Sequence, residues 1–300
     1  MPYRRCKHMT VRRRLAALLL CWLLAPAAMA SQYAVIMPGN SALTQSFIDA
    51  LGNALPDADV IPLSLTDAIP GGTDVVITMG RNSLEARLQQ SDEVPTLATY
   101  ITGESLHNYA QPNQPYHALL ANPQPARQAA LARLLVPNVR SMGILLTPGT
   151  EQQRDQWQKA AEQNAATLVS VTVQPQDNLT RSVVDVINSS DILLGTDDSQ
   201  IYNADNLKTI LLTSYSRSKV LIGPSAPFID AGSLSTTYST ADDMARSAAY
   251  LIKQGLPRSG SSYPRYFSVL SNAQVARSLG IPLPDDATLA RRLAELEQAQ

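Results

Sequence analysis

Between Asp191 and Ser239 three short apolar runs, Asp191–Gly195, Lys219–Gly223 and Ser233–Ser239, each end in small or polar residues. The segment Asn203–Ser216 between the first two places Leu207, Ile210, Leu211 and Tyr215 on one helical face. Strands that alternate with amphipathic helices predict a parallel sheet with helical crossovers. In such open sheets, ligands sit beyond the carboxyl ends of the strands. Here those ends are Gly195 to Asp198 and Gly223 to Ser225, so function is expected there.

The same pattern runs through the rest of the chain. Tyr33–Met37 is a continuous apolar strand of the kind buried on both faces. A turn at Pro38 to Ser41 leads into a helix over Ala42–Leu55. Strands follow at Val60–Leu65, Asp74–Met79 and Val94–Tyr100, with a helix over Leu84–Gln90. The polar stretch Thr102–Gln114 reads as loop, Tyr116–Ala121 as a returning strand and Pro123–Leu135 as a helix. At Ser141–Leu146 the series starts again, with a helix over Glu151–Ala166, a strand over Thr167–Gln174 and a helix over Leu179–Ile187. After the helix Ala241–Gln254 a loop, a strand at Tyr266–Leu270, a short helix at Ala273–Leu279 and a tail helix from Asp286 close the chain. Two such series predict two Rossmann-like α/β lobes, at residues 31–136 and 137–240, completed by 241–300. One large doubly wound domain is the alternative architecture.

Residues 1–30 read as an export signal. Six basic residues precede the apolar Leu15–Leu24, and Ala28-Met29-Ala30 supplies a small-x-small cleavage site. Translation from Met1 and from Met9 both yield such a signal. Cleavage after Ala30 removes both cysteines and leaves 18 basic against 25 acidic residues, a net charge of about −7. That balance argues against nucleic acid or an anionic membrane surface as partner. A thiol-free exported chain of this size is expected in a bacterial periplasm, as a monomer.

The segment Leu135 to Leu145, LVPNVRSMGIL, resembles the "LLPNVKRIGVLYNP" opening of the second lobe in the ABC-transporter substrate-binding proteins that include tryptophan/tyrosine binders. Thr196 to Asn203 resembles that family's "PDNTVYN" turn, and Lys219–Gly232 its "IPLIGFSPAFVRAGAL" segment. The resemblance covers about Pro123 to Leu256; the family's "DPVGAGLV" to "PGGNVTG" run has no clear counterpart in the first lobe. It implies a type I periplasmic binding fold, with hinge crossovers and closure of two lobes on a small solute. The implied partner is an ABC permease. The divergent first lobe leaves open a sensor that docks on a membrane receptor kinase or another envelope partner.

Candidate ligand-binding positions are the strand ends facing the expected cleft: Asn40, Ser41, Gly80, Arg81, Tyr100, Thr147, Thr150, Asp197, Asp198 and Ser225. Helix starts after Gly39 and Thr147 offer backbone N–H groups to a carboxylate. Arg81 suits a carboxylate, and Asp197 or Asp198 an ammonium group. Asn40, Ser41 and Asp198 are equally suited to helix or turn capping. No catalytic motif, cofactor loop or metal-ligand pair occurs, and His107 and His117 fall in the least regular region. The chain is therefore expected to bind without chemistry, with no cofactor.

Overall fold

The computed structural model describes residues 30–109 and 115–299. The segment expected to be an export signal and the end of the polar stretch after Tyr109 lie outside them. Among the described residues the strands form two six-stranded sheets. The first contains β1 (Ser31–Ile36), β2 (Ala58–Leu63), β3 (Val75–Met79), β4 (Thr96–Ile101), β5 (Tyr116–Leu120) and β11 (Gly260–Ser262), in the order β11-β5-β4-β3-β1-β2. The second contains β6 (Ser141–Leu146), β7 (Thr167–Thr172), β8 (Ile192–Leu194), β9 (Val220–Ile222), β10 (Ser235–Tyr238) and β12 (Ser268–Ser271), in the order β12-β10-β9-β8-β6-β7. Every pairing is parallel except β10 with β12.

The apolar runs became strands because helices cover both faces of each sheet. Ala34, Val35 and Ile36 of β1 are fully buried, as are Ile144, Leu145 and Leu146 of β6. The edge strands β2 and β7 are only half covered. The helices are α1 (Ala42–Ala54), α2 (Gly80–Leu88), α3 (Gly103–Tyr109), α4 (Pro125–Leu135), α5 (Arg154–Gln163), α6 (Leu179–Ser189), α7 (Ala204–Tyr215), α8 (Pro227–Ala231), α9 (Ala241–Lys253), α10 (Ala273–Ser278) and α11 (Asp286–Gln298). Several start on the caps their sequences offer. The Ser41 hydroxyl accepts from the Thr44 N–H at 3.2 Å, and Asn203 Oδ1 accepts from Asp205 N and Asn206 N at 3.1 Å each. Thr240 and Asp243 form a reciprocal capping box at α9.

Four local expectations are corrected. Thr102–Gln114 is not all loop, because Thr102 caps α3: its hydroxyl accepts from Ser105 N at 3.1 Å. The polar run after Gly255 contains edge strand β11, held by His117, whose ring reaches the Ser259 carbonyl at 3.1 Å and the Ser262 hydroxyl at 2.9 Å. His117 is thus buried structure rather than surface. The helix expected over Glu151–Ala166 starts as a 3-10 turn, Glu151–Gln153, and ends at Gln163. The short helix α8, between β9 and β10, carried no periodicity long enough to read.

The chain passes between lobes at 121–124, 239–240 and 263–267. Helix α4, grouped by chain order with the first lobe, packs in the second: Ala129, Leu131 and Ala132 are buried with Met142, Ile144 and Trp157. Gln128 on α4 seals that placement. Its amide donates to the Gly223 carbonyl at 2.8 Å, and its carbonyl accepts from Thr237 N at 3.0 Å. Helix α9 goes the other way: Met244, Ala245 and Ala248 are buried with Phe47 and Leu51 of α1. Residues 241–299 thus complete both lobes.

The ends of β8 and β9 approach closely at Gly195. A Cβ there would lie 2.5 Å from Pro224 Cδ and 2.6 Å from Pro224 N. Because the obstacle includes backbone, the strand ends must separate to admit it. Gly195→Ala is expected to cost about 2–3 kcal/mol, read as a lower urea midpoint with an unchanged denaturant slope.

Candidate functional site

Carboxyl ends of strands from both lobes face each other across a cleft of about 510 Å³. The first lobe contributes Arg81 at the start of α2, Thr102 and Glu104 around the α3 cap, and Asn122 in the first crossover. The second contributes Thr196 to Ser199 after β8, and Ser225 and Phe228 after β9. Polar groups dominate the floor, while Phe228 and Tyr202 supply an apolar wall with rings edge-on at 6.2 Å.

The adjacent carboxylates at the end of β8 separate into two roles. Asp198 is buried and turned into the second lobe. Its Oδ2 accepts from Thr147 N at 2.7 Å, from Thr147 Oγ1 at 2.8 Å and from Thr150 Oγ1. Its Oδ1 accepts from Gln200 N at 3.1 Å and Ile201 N at 3.3 Å. Thr147, Thr150 and Asp198 therefore form one internal staple between the turns after β6 and β8. The two threonines take up Asp198 Oδ2, and the turn that follows takes up Oδ1.

Asp197 points the opposite way, across the cleft. Its Oδ2 accepts from the Glu104 N–H of the first lobe at 2.8 Å. Burial pushes its carboxyl up to about 6. The Glu104 N–H opposes that shift, and the charges of Glu104 and Asp198 add to it. The Glu104 carboxylate in turn accepts from Ser199 N at 3.1 Å and Ser199 Oγ at 2.9 Å. At the base, Asn122 Oδ1 accepts from Gly103 N at 2.9 Å. Asn122 also hydrogen-bonds Tyr263 of the third crossover, whose hydroxyl burial pushes up to about 12. The Tyr263 hydroxyl donates to Gln156 at 3.2 Å.

Of the positions expected from sequence, Arg81, Asp197, Asp198 and Ser225 line the cleft. Arg81 is more than half exposed and paired with Glu85 at 2.9 Å. Asn40 and Ser41 lie on the exposed turn before α1, and Ser41 serves as its cap. Gly80 takes φ +77 to start α2, beside the Tyr100 carbonyl. Tyr100 does not line the cleft. Its ring packs edge-on against Phe47 at 5.5 Å, its hydroxyl is buried without a hydrogen-bond partner, and its φ is +55. Glu104, Asn122 and Ser199 also line the cleft and are not among the positions expected from sequence; Thr102-x-x-Ser105 is a readable helix cap that puts Glu104 in a first turn. Among the described residues no group of three or more His, Cys, Asp or Glu side chains is placed to hold a metal ion. None of their helices is long and apolar enough to cross a membrane.

No protein-family model matches the chain, and no curated protein sequence matches it. Solved structures do. A ligand-free, open substrate-binding protein with adhesive properties from Clostridium difficile superposes with a TM-score of 0.63 at 11% identity, over 85% of this chain and 96% of its own. An ABC domain from Streptococcus pneumonia in complex with L-Trp gives 0.52 at 15% identity, over the same shares. A conserved domain protein from Vibrio cholerae gives 0.52 at 14%, over 87% of this chain and 98% of its own. The chain has the two-lobe α/β architecture of ABC substrate-binding proteins, the type I periplasmic-binding fold.

Proposed function

We propose that this protein binds a small polar solute, an amino acid or related compound, between its lobes and delivers it to an ABC permease. The observation that carries this reading is a polar cleft built from the strand ends of two lobes that three chain crossovers join. In this reading Asp197 and Glu104 face the solute's positive group, and Arg81 and Ser225 its acceptors. The work is differential affinity for open and closed lobes. Export by the N-terminal signal, with cleavage after Ala30, places the protein in the periplasm.

Thermal unfolding against a panel of amino acids, nucleosides, sugars and metabolites tests the reading. A solute at 100 times its dissociation constant stabilises the folded state by about 2.7 kcal/mol. One compound class is expected to raise the midpoint, and Asp197→Ala to abolish the rise. A flat response to the whole panel by a cooperatively unfolding protein would overturn solute binding.

A further inference from the structure

We propose that Asp197, Glu104 and Ser199 form a proton-sensitive latch that draws the two lobes together in the absence of solute. Three hydrogen bonds cross the cleft within one residue pair of each other: Glu104 N to Asp197, and Ser199 N and Oγ to the Glu104 carboxylate. The two lobes thereby exchange donors and acceptors at a single point beside the first and third crossovers, next to Asn122 and Tyr263. The latch also brings two carboxylates together in a partly dehydrated place. Lobe opening that breaks these three bonds would part the carboxylates and return Asp197 to water.

That asymmetry couples closure to a proton. A proton on Asp197 Oδ1 leaves Oδ2 free to accept from Glu104 N, so the latch keeps its geometry while losing its repulsion. The charged groups acting on Asp197 are Glu104 from α3 and Asp198 from its own turn, while Arg81 of α2 lines the same cleft and pairs with Glu85. Tyr263, neutral, feels the Asp197 charge from the third crossover. Gln153 of the 3-10 turn reaches only the Asp197 carbonyl, at 3.4 Å. The carboxyl is raised to about 6 when closed, against an ordinary 3.8 when exposed. A raised carboxyl favours the closed form fully below the open-form value, and that advantage is lost as pH rises through the closed-form value. Closure is therefore strongest in acid and weakens up to about pH 6, and this holds whether or not a solute is ever found.

The exported protein is free of cysteine, so Ser46→Cys and Lys208→Cys, one exposed site on each lobe, label a single pair for energy transfer. Without solute, the closed-to-open ratio is expected to fall roughly 25-fold from pH 4.5 to pH 7. Asp197→Asn, which keeps the acceptor and removes the charge, is expected to stay closed with no pH dependence. Ser199→Ala is expected to lower the closed ratio several-fold at every pH, leaving its pH dependence unchanged. Circular dichroism at each pH confirms that the variants are folded. Transfer that is flat with pH in the wild type, or that keeps the same pH dependence in Asp197→Asn, overturns the latch.

Discussion

Asp198→Ala is expected to cost about 2–4 kcal/mol of stability and to lower the thermal midpoint by roughly 4 °C or more. The carboxylate is buried and gathers five donors, three of them backbone N–H groups: those of Thr147, Gln200 and Ile201. Alanine strands Gln200 N and the Thr147 hydroxyl where water enters poorly, while Thr147 N keeps the Thr150 hydroxyl, the Thr150 hydroxyl keeps the Thr147 carbonyl and Ile201 N keeps the Asp198 carbonyl; each orphaned donor costs on the order of 1–3 kcal/mol. Asp198→Asn fills the same space but turns an amide toward donors, so it is expected to recover only part of the loss. Calorimetry on the three proteins is the measurement. Midpoints within about 2 °C of one another would show that the staple contributes nothing net. Asp197→Asn, one residue away, is expected to raise stability at neutral pH instead. Its carboxylate is held charged against burial, a penalty present above about pH 6 and absent in acid.

Phe47→Ala is expected to cost about 3–5 kcal/mol, confined at first to the first lobe. Phe47 is fully buried where α1 meets α9, among Leu51, Met244, Ala245 and Ala248, and carries Tyr100 on its edge. Truncation opens a void between two helices that are remote in sequence, and it loosens the second crossover that α9 anchors. Trp157, the one tryptophan after residue 30, is buried in the second core. Its fluorescence therefore reports the other lobe. Far-UV ellipticity is expected to be lost at lower urea than in wild type, with the Trp157 transition shifted less. Coincident transitions shifted equally would show that the lobes unfold as one unit.

The element types along most of the chain were legible because each has a local cause. Tyr33 to Ile36 and Ser141 to Leu146 are apolar without alternation, which suits a strand covered on both faces, and both became central strands. Ser41 and Asn203 sit where a cap must sit, and both cap. Strand β11, Gly-Ser-Ser, carries no apolar signal; its pairing with β5 is secured by His117, 142 residues from the Ser259 carbonyl it contacts. Helix α3 is short, and Leu106, its one aliphatic residue, packs against Ile101 and its neighbours but is too little to show a helical period.

The two α/β series were legible in the residues themselves, because hydrophobic period and capping act over a few residues. Tertiary structure alone decided which lobe received α4 and α9, and which of two neighbouring aspartates turned inward. Successive residues in an extended turn point to opposite sides, so one of the pair had to face the lobe and the other the cleft. Only the placement of Thr147 and Thr150 against Asp198, and of Glu104 across from Asp197, assigned the sides. Those contacts join residues 48 to 93 apart in the chain, a separation at which no local periodicity carries information.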